Sequence, residues 1–190
     1  MVAIEIDGKK IGPSEKTYFI AEAGLNHNGD IQIAKKLIEN AKNAGADAIK
    51  FQTYKTEEFL SNSSEYFKFF KNVELTYDDF KELNDFSKKI GITFFSAPFD
   101  IESANFLDKI DVPCFKIASG EINNIPLLKH IAKMGKPMII STGLCNMKEV
   151  EDAVNTCIEE GNSQLALFHC VANYPTQPEE VNLTAMETMR

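Results

Sequence analysis

The 190-residue sequence predicts an α/β fold of the (β/α)8 TIM-barrel type, and three observations predict it. Six short apolar runs alternate with stretches of helical periodicity, and a glycine stands between most helices and the strand that follows. That alternation calls for parallel strands joined by right-handed crossovers. Polar residues gather at the C-terminal ends of several runs: Lys50 and Gln52; Ser96; Lys116 with Ser119 and Glu121; Ser141; Asn173 with Tyr174. A doubly wound sheet would cluster them at one switch point behind a glycine-rich turn, and no dinucleotide-type glycine pattern follows the first strand. A closed barrel takes eight strands and about 250 residues. The chain is therefore expected to form one incomplete domain over 1–190, truncated after about six β/α units, with strand edges left unpaired that favour oligomerisation.

Residues 1–16 read as a short peripheral strand or hairpin, with Gly8 and Gly12-Pro13 as turn signals. The first core strand, Tyr18-Phe19-Ile20-Ala21, empties into Glu22-Ala23-Gly24-Leu25-Asn26-His27-Asn28-Gly29. Asp30 then caps a helix to about residue 43, with Ile33, Ala34, Leu37, Ile38 and Ala41 inward and Gly45 closing it. The second strand, 48–52, precedes a long insertion to about residue 75 that holds Tyr66-Phe67-Lys68-Phe69-Phe70. It reads either as a lid facing substrate or as a helical flap packed on the barrel rim. Thr76 caps a helix to residue 90, ended by Gly91, and a third strand at 92–96 is stopped by Pro98. A helix over 102–110 leads to Phe115-Lys116-Ile117-Ala118-Ser119-Gly120-Glu121, where Gly120 is expected to let the backbone turn sharply. Asn124 and Pro126 open the next helix and Gly135 closes it, before a strand at 138–140. Asn146 with Glu149 makes a capping-box start for a helix to residue 160, and a sixth strand covers 165–169.

Apolar content of 44% and charged content of 25% are ordinary for a globular domain. With 28 acidic against 20 basic residues and a net charge of -8, nucleic acid and anionic membrane surfaces are excluded as partners, and an anion site must be a local pocket. No apolar run reaches membrane-spanning length, and the start has no basic and apolar leader, so a cytoplasmic location is expected. Cys114, Cys145, Cys157 and Cys170 show no Cys-x-x-Cys spacing and read as reduced structural thiols.

Lys50 and Lys116 end strands that are otherwise apolar, where an ammonium is costly unless it finds an anion or solvent. With Ser119 and Ser141 they would hold a phosphate or carboxylate through charge-assisted hydrogen bonds. The alternative is internal pairing with Glu22 and Glu121. Those carboxylates either share proton transfer around a bound carbonyl compound or neutralise the lysines. His27 reads as a structural hydrogen-bonder, His169 as a core histidine within a strand, and His130 has no role. No His, Asp and Glu cluster has ligand spacing, so no metal site is expected within this chain.

These stretches resemble the sialic acid (N-acetylneuraminate) synthase family, phosphoenolpyruvate-condensing enzymes that make nonulosonic acids. The resemblance runs through residues 19–30, 45–53, Ser96-Ala97-Pro98-Phe99-Asp100, 115–121, Ser141-Thr142-Gly143 and 169–175. It implies a (β/α)8 barrel in which Lys50, Lys116, Ser119 and Ser141 hold phosphoenolpyruvate while Gln52, Asn173 and Tyr174 face the amino sugar. It further implies that C3 of phosphoenolpyruvate attacks the open-chain aldehyde of N-acetylmannosamine or a related sugar, that water attacks C2, and that phosphate leaves. Glu121 and Glu22 are the catalytic residues it implies. By the same resemblance a divalent metal, manganese or magnesium, polarises the aldehyde, with ligands that lie past residue 190 and are missing from this chain. A C-terminal antifreeze-like domain is absent too, and Ala97 stands where the family usually has Thr. The partners implied are the two substrates and a second copy or companion chain; the rival reading is a non-catalytic remnant or interaction subunit that retains the anion pocket.

Overall fold

Helix starts are set by side chains that satisfy the free N–H groups of the first turn, and a computed structural model, which describes residues 3–190, shows this directly. Positions 1 and 2 of the expected N-terminal hairpin lie outside the described residues. The chain divides into two compact units, one over 16–113 and the other combining the residues before 16 with 114–190. The second unit begins with an antiparallel hairpin, β1 (Ile4–Ile6) and β2 (Lys9–Ile11), with Ile4 opposite Ile11.

The 16–113 unit holds β3 (Ile20–Gly24), α1 (Ile31–Asn43), β4 (Ala48–Thr53), α2 (Thr56–Phe59), α3 (Phe67–Val73), α4 (Tyr77–Ile90), β5 (Thr93–Pro98) and α5 (Ile101–Lys109). Its three strands are parallel, with β4 between β3 and β5. Asp30 accepts from Gln32 N at 2.7 Å to start α1, and Thr76 with Asp79 forms a capping box on α4. Helix α1 buries Ala34, Ile38 and Ala41, but Ile33 is 37% exposed, so the buried stripe is narrower than its apolar residues suggested. Strand alternation decides what β4 offers to each side. Phe51 is fully buried among the rings of His27, Phe80 and Phe94, which turns its neighbours Lys50 and Gln52 to the opposite face.

The insertion is a packed helical flap. Phe59 stacks edge-on against Phe70 (5.3 Å between centroids) and Phe99 (4.9 Å), and the Tyr54 hydroxyl donates to the Phe70 carbonyl at 3.0 Å. Tyr66 and Phe69 stay exposed. Glu74 ties the flap together, accepting from Thr56 N at 3.0 Å, Thr56 Oγ1 at 2.6 Å and Lys71 Nζ at 3.2 Å. Glu74→Ala strands these donors and is expected to cost about 1–3 kcal/mol. Limited proteolysis should show accelerated cleavage confined to 55–75, and cleavage there at the unaltered rate would contradict this assignment.

The other unit continues with β6 (Phe115–Ile117), a 3₁₀ turn (Ser119–Glu121), α6 (Ile125–Ala132), β7 (Met138–Ser141), α7 (Met147–Glu159), β8 (Leu165–Phe168), a second 3₁₀ turn (Pro178–Glu180) and α8 (Ala185–Met189). Strands β6, β7 and β8 are parallel, with β7 central. Asn146 and Glu149 form the expected capping box on α7. Two local expectations are corrected. The turn at Gly120 is a 3₁₀ turn without a left-handed φ, and a Cβ there would meet nothing within 4 Å, so the turn makes no demand for glycine. His169 lies past the end of β8, half-buried, with Nε2 at 2.6 Å from the Val181 carbonyl, and is not a core residue of the strand. All four cysteines are free thiols, and no helix of the described residues is long and apolar enough to cross a membrane.

Candidate functional site

Each unit carries part of the polar set read from the strand ends. In the 16–113 unit, parallel register places Glu22 of β3 opposite Lys50 of β4, and their side chains form an ion pair. Lys50 is only 8% exposed, whereas the Glu22 side chain is half exposed. Gly24 follows a register shift in β3 with a φ of 52°, and a Cβ there would lie 3.2 Å from Glu22 Oε1; glycine leaves the carboxylate its room. Gln52 is half-buried two residues along the same face as Lys50. Ser96 is buried and its hydroxyl is shared with Thr53 Oγ1 at 2.7 Å; Ala97 beside it is buried and brings no hydroxyl. His27, 1% exposed, accepts from Gly29 N at Nδ1 (3.1 Å), which puts the proton of the neutral ring on Nε2. Burial lowers its pKa, with a backbone interaction at Gly24 opposing, so the ring is held neutral as a structural support.

In the other unit, β6 delivers Lys116 into a hydrogen-bonded set built on the 141–143 segment. Lys116 is 5% exposed and its ammonium donates to Ser141 Oγ at 2.6 Å and to the Ile117 carbonyl at 2.6 Å, with the Phe168 ring centroid 5.9 Å away. Ser119 Oγ accepts from Gly143 N at 3.1 Å. Cys170 donates to Ser141 Oγ at 3.4 Å, and Cys145 to the Gly143 carbonyl at 3.1 Å. Internal pairing therefore takes different forms at the two carboxylates. Glu22 holds Lys50, but Glu121 is held by Asn124, whose Nδ2 donates to Oε2 at 2.7 Å. Asn124 also accepts from Leu127 N to cap α6, so one side chain starts a helix and orients a carboxylate.

Asn173 and Tyr174 sit differently from the rest. The Asn173 amide donates to both Glu180 oxygens (3.0 and 2.8 Å) and borders a cavity of about 670 Å³ that Thr142, Cys145, His169 and Cys170 also line. Tyr174 is 90% exposed. Sequence reasoning passed over Asn124, Gly143 and Cys170 as site components. Asn124 carried a signal in standing three residues after Glu121 at a helix start, and Gly143 and Cys170 lie within stretches that carry the family resemblance. Among the described residues no three His, Cys, Asp or Glu side chains gather to hold a metal ion, so these residues do not fit the implied metal.

Burial raises the pKa of Glu121 and the Asn124 hydrogen bond opposes it. A carboxyl whose folded pKa lies above its unfolded one contributes stability that is complete below the unfolded value and is lost as pH rises through the folded one. Glu121→Gln removes that loss. Thermal unfolding should show the variant above the parent at about pH 8 and level with it at about pH 4; equal offsets at both would refute the burial argument.

The geometry can be set beside known proteins. The model of the NeuB family matches residues 37–190. The N,N'-diacetyllegionaminic acid synthase of Campylobacter jejuni is 42% identical over 192 residues, covering 93% of this chain and 58% of that protein. The N-acetylneuraminate-9-phosphate synthase of Mus musculus is 35% identical over 189 residues, covering 93% and 52%. The N-acetylneuraminic acid (sialic acid) synthetase of Leptospira borgpetersenii, solved in complex with citrate, superposes with a TM-score of 0.94 at 38% identity over 99% of this chain and 66% of that one. The chain spans about half the length of the curated relatives it matches.

Proposed function

The chain belongs to the NeuB family, and from that premise we propose that it carries the phosphoenolpyruvate-handling part of a nonulosonic acid synthase. The reaction is the condensation of phosphoenolpyruvate with N-acetylmannosamine or a related amino sugar, with release of phosphate. The observation that carries this reading is the buried ammonium of Lys116 bonded to Ser141, with the Ser119 hydroxyl fixed beside the same segment by Gly143.

A desolvated ammonium flanked by hydroxyls binds a phosphoryl group more strongly than an exposed one and is already oriented when charge builds on the departing phosphate. As C3 of phosphoenolpyruvate bonds to the aldehyde carbon, positive charge develops at C2; water adds there and the phosphate leaves. Glu121 is assigned the proton of that water, a task suited to a carboxyl whose pKa is raised by burial. Glu22 is assigned the new sugar hydroxyl, and Lys50 the anion it reaches. Gln52, Asn173 and Tyr174 are assigned the sugar; for Asn173 this requires exchange of its bonds to Glu180. The Leptospira borgpetersenii relative was solved in complex with citrate, itself an anion, which is in keeping with this reading. A cytoplasmic location and assembly with a second copy or companion chain belong to the same proposal.

The test is calorimetric titration of the purified chain with phosphoenolpyruvate, followed by phosphate release on adding N-acetylmannosamine with manganese or magnesium supplied. Saturable binding of phosphoenolpyruvate is expected. Its absence would sink the reading.

A further inference from the structure

We infer that Gly143 is a positioning residue of the anion site: its backbone N–H orients the Ser119 hydroxyl, and its lack of a side chain is what leaves that hydroxyl its place. The inference rests on the reading above, in which Ser119 meets the phosphate.

The glycines of this chain serve different needs, and the geometry separates them. Gly24, Gly29, Gly45 and Gly91 have φ values in the left-handed region, where any side chain is strained. Gly143 does not, so its backbone would accept other residues. What another residue would meet there is crowding. A Cβ at 143 would stand 2.9 Å from Ser119 Oγ, closer than real Cβ contacts come, and 3.4 Å from Cys170 Cβ, an ordinary contact. The obstruction is therefore the Ser119 hydroxyl itself. That hydroxyl already accepts the Gly143 N–H at 3.1 Å. With one lone pair so engaged and no acceptor for its own proton among the described residues, the Ser119 O–H is left to donate to an incoming anion. An N–H that polarises a hydroxyl also strengthens the bond the hydroxyl donates. Gly120, adjacent to Ser119, has open space around it and does none of this.

The experiment is a double-mutant cycle of Gly143→Ala and Ser119→Ala, read as phosphoenolpyruvate affinity by calorimetry. Each single variant is expected to weaken binding roughly 10- to 100-fold, the worth of one hydrogen bond to a charged group. The double variant should bind no worse than Ser119→Ala alone, because once Oγ is gone the methyl added at position 143 meets only the ordinary contact with Cys170. Losses that multiply across the cycle would overturn the inference while leaving the phosphoenolpyruvate reading intact. An unaltered chain that fails to bind phosphoenolpyruvate overturns that reading and this inference with it. Should Gly143→Ala not fold, the amide proton shift of Gly143 in the ligand-free chain, compared with Ser119→Ala, decides: an upfield move supports the hydrogen bond, and an unmoved resonance refutes it.

Discussion

Lys116→Met is expected to reduce phosphoenolpyruvate affinity by about three orders of magnitude without lowering the melting temperature. The two halves of this expectation have separate causes. The ammonium is 5% exposed and already aligned by Ser141 and the Ile117 carbonyl, so binding an anion there adds charge-assisted hydrogen bonds at little ordering cost. Two such bonds at about 1.5–3 kcal/mol each, with about 1.4 kcal/mol per tenfold, give the predicted loss. Stability responds differently, because removing a buried charge also removes its desolvation penalty, and an apolar replacement of similar volume is often neutral or stabilising. Lys116→Ala should match the methionine variant in affinity and fall below it in melting temperature, because it leaves part of the buried side-chain volume empty. Calorimetry and thermal unfolding on the three proteins settle the matter; affinity within threefold of the parent would remove Lys116 from the site.

Phe51→Ala should cost about 3–5 kcal/mol, a large share of the total stability of a domain. Phe51 is fully buried, with ring centroids of Phe94 at 5.5 Å, His27 at 6.0 Å and Phe80 at 6.4 Å. Its loss leaves a cavity between β4 and α4 that the parallel strands on either side cannot close by small shifts. It also loosens the seat of the neutral His27 ring. Urea denaturation followed by far-ultraviolet dichroism gives the number, and Phe51→Leu should recover more than half of it. A cost under about 1 kcal/mol would mean that the ring cluster does not hold this unit together.

The helices and strands were readable because their signals are local: Asp30, Thr76 and the Asn146–Glu149 pair each act within a few residues of themselves. Positions of Lys50, Gln52 and Lys116 at strand ends were readable for the same reason. Partners were not. That Glu22 takes Lys50 while Glu121 takes Asn124 depends on strand register and on which helix cap lies near, whereas the sequence suggested only that the two lysines pair with the two carboxylates. Gly120 and Gly143 show the limit most clearly. Both are glycines in polar loops, yet only one is crowded, and crowding is set by Ser119 and Cys170 from elsewhere in the chain. Asn173 likewise reads as a free amide until Glu180, seven residues on, folds back to meet it. The helical flap could be told from a lid only by the rings and the Glu74 hydrogen bonds that pack it.

The matched register of Glu22 and Lys50 has a consequence for selectivity. Lys50 already has a carboxylate in hand, so an anion that recruits it must displace an internal competitor, and the affinity realised there is a difference between two attractions. Against a single negative charge the exchange is close to even. A doubly charged phosphate wins it, since the Coulomb term grows with the charge of the newcomer while the cost of releasing Glu22 stays the same. On the proposed reading, this strand pairing favours ligands that carry a phosphoryl group over simple carboxylates at Lys50.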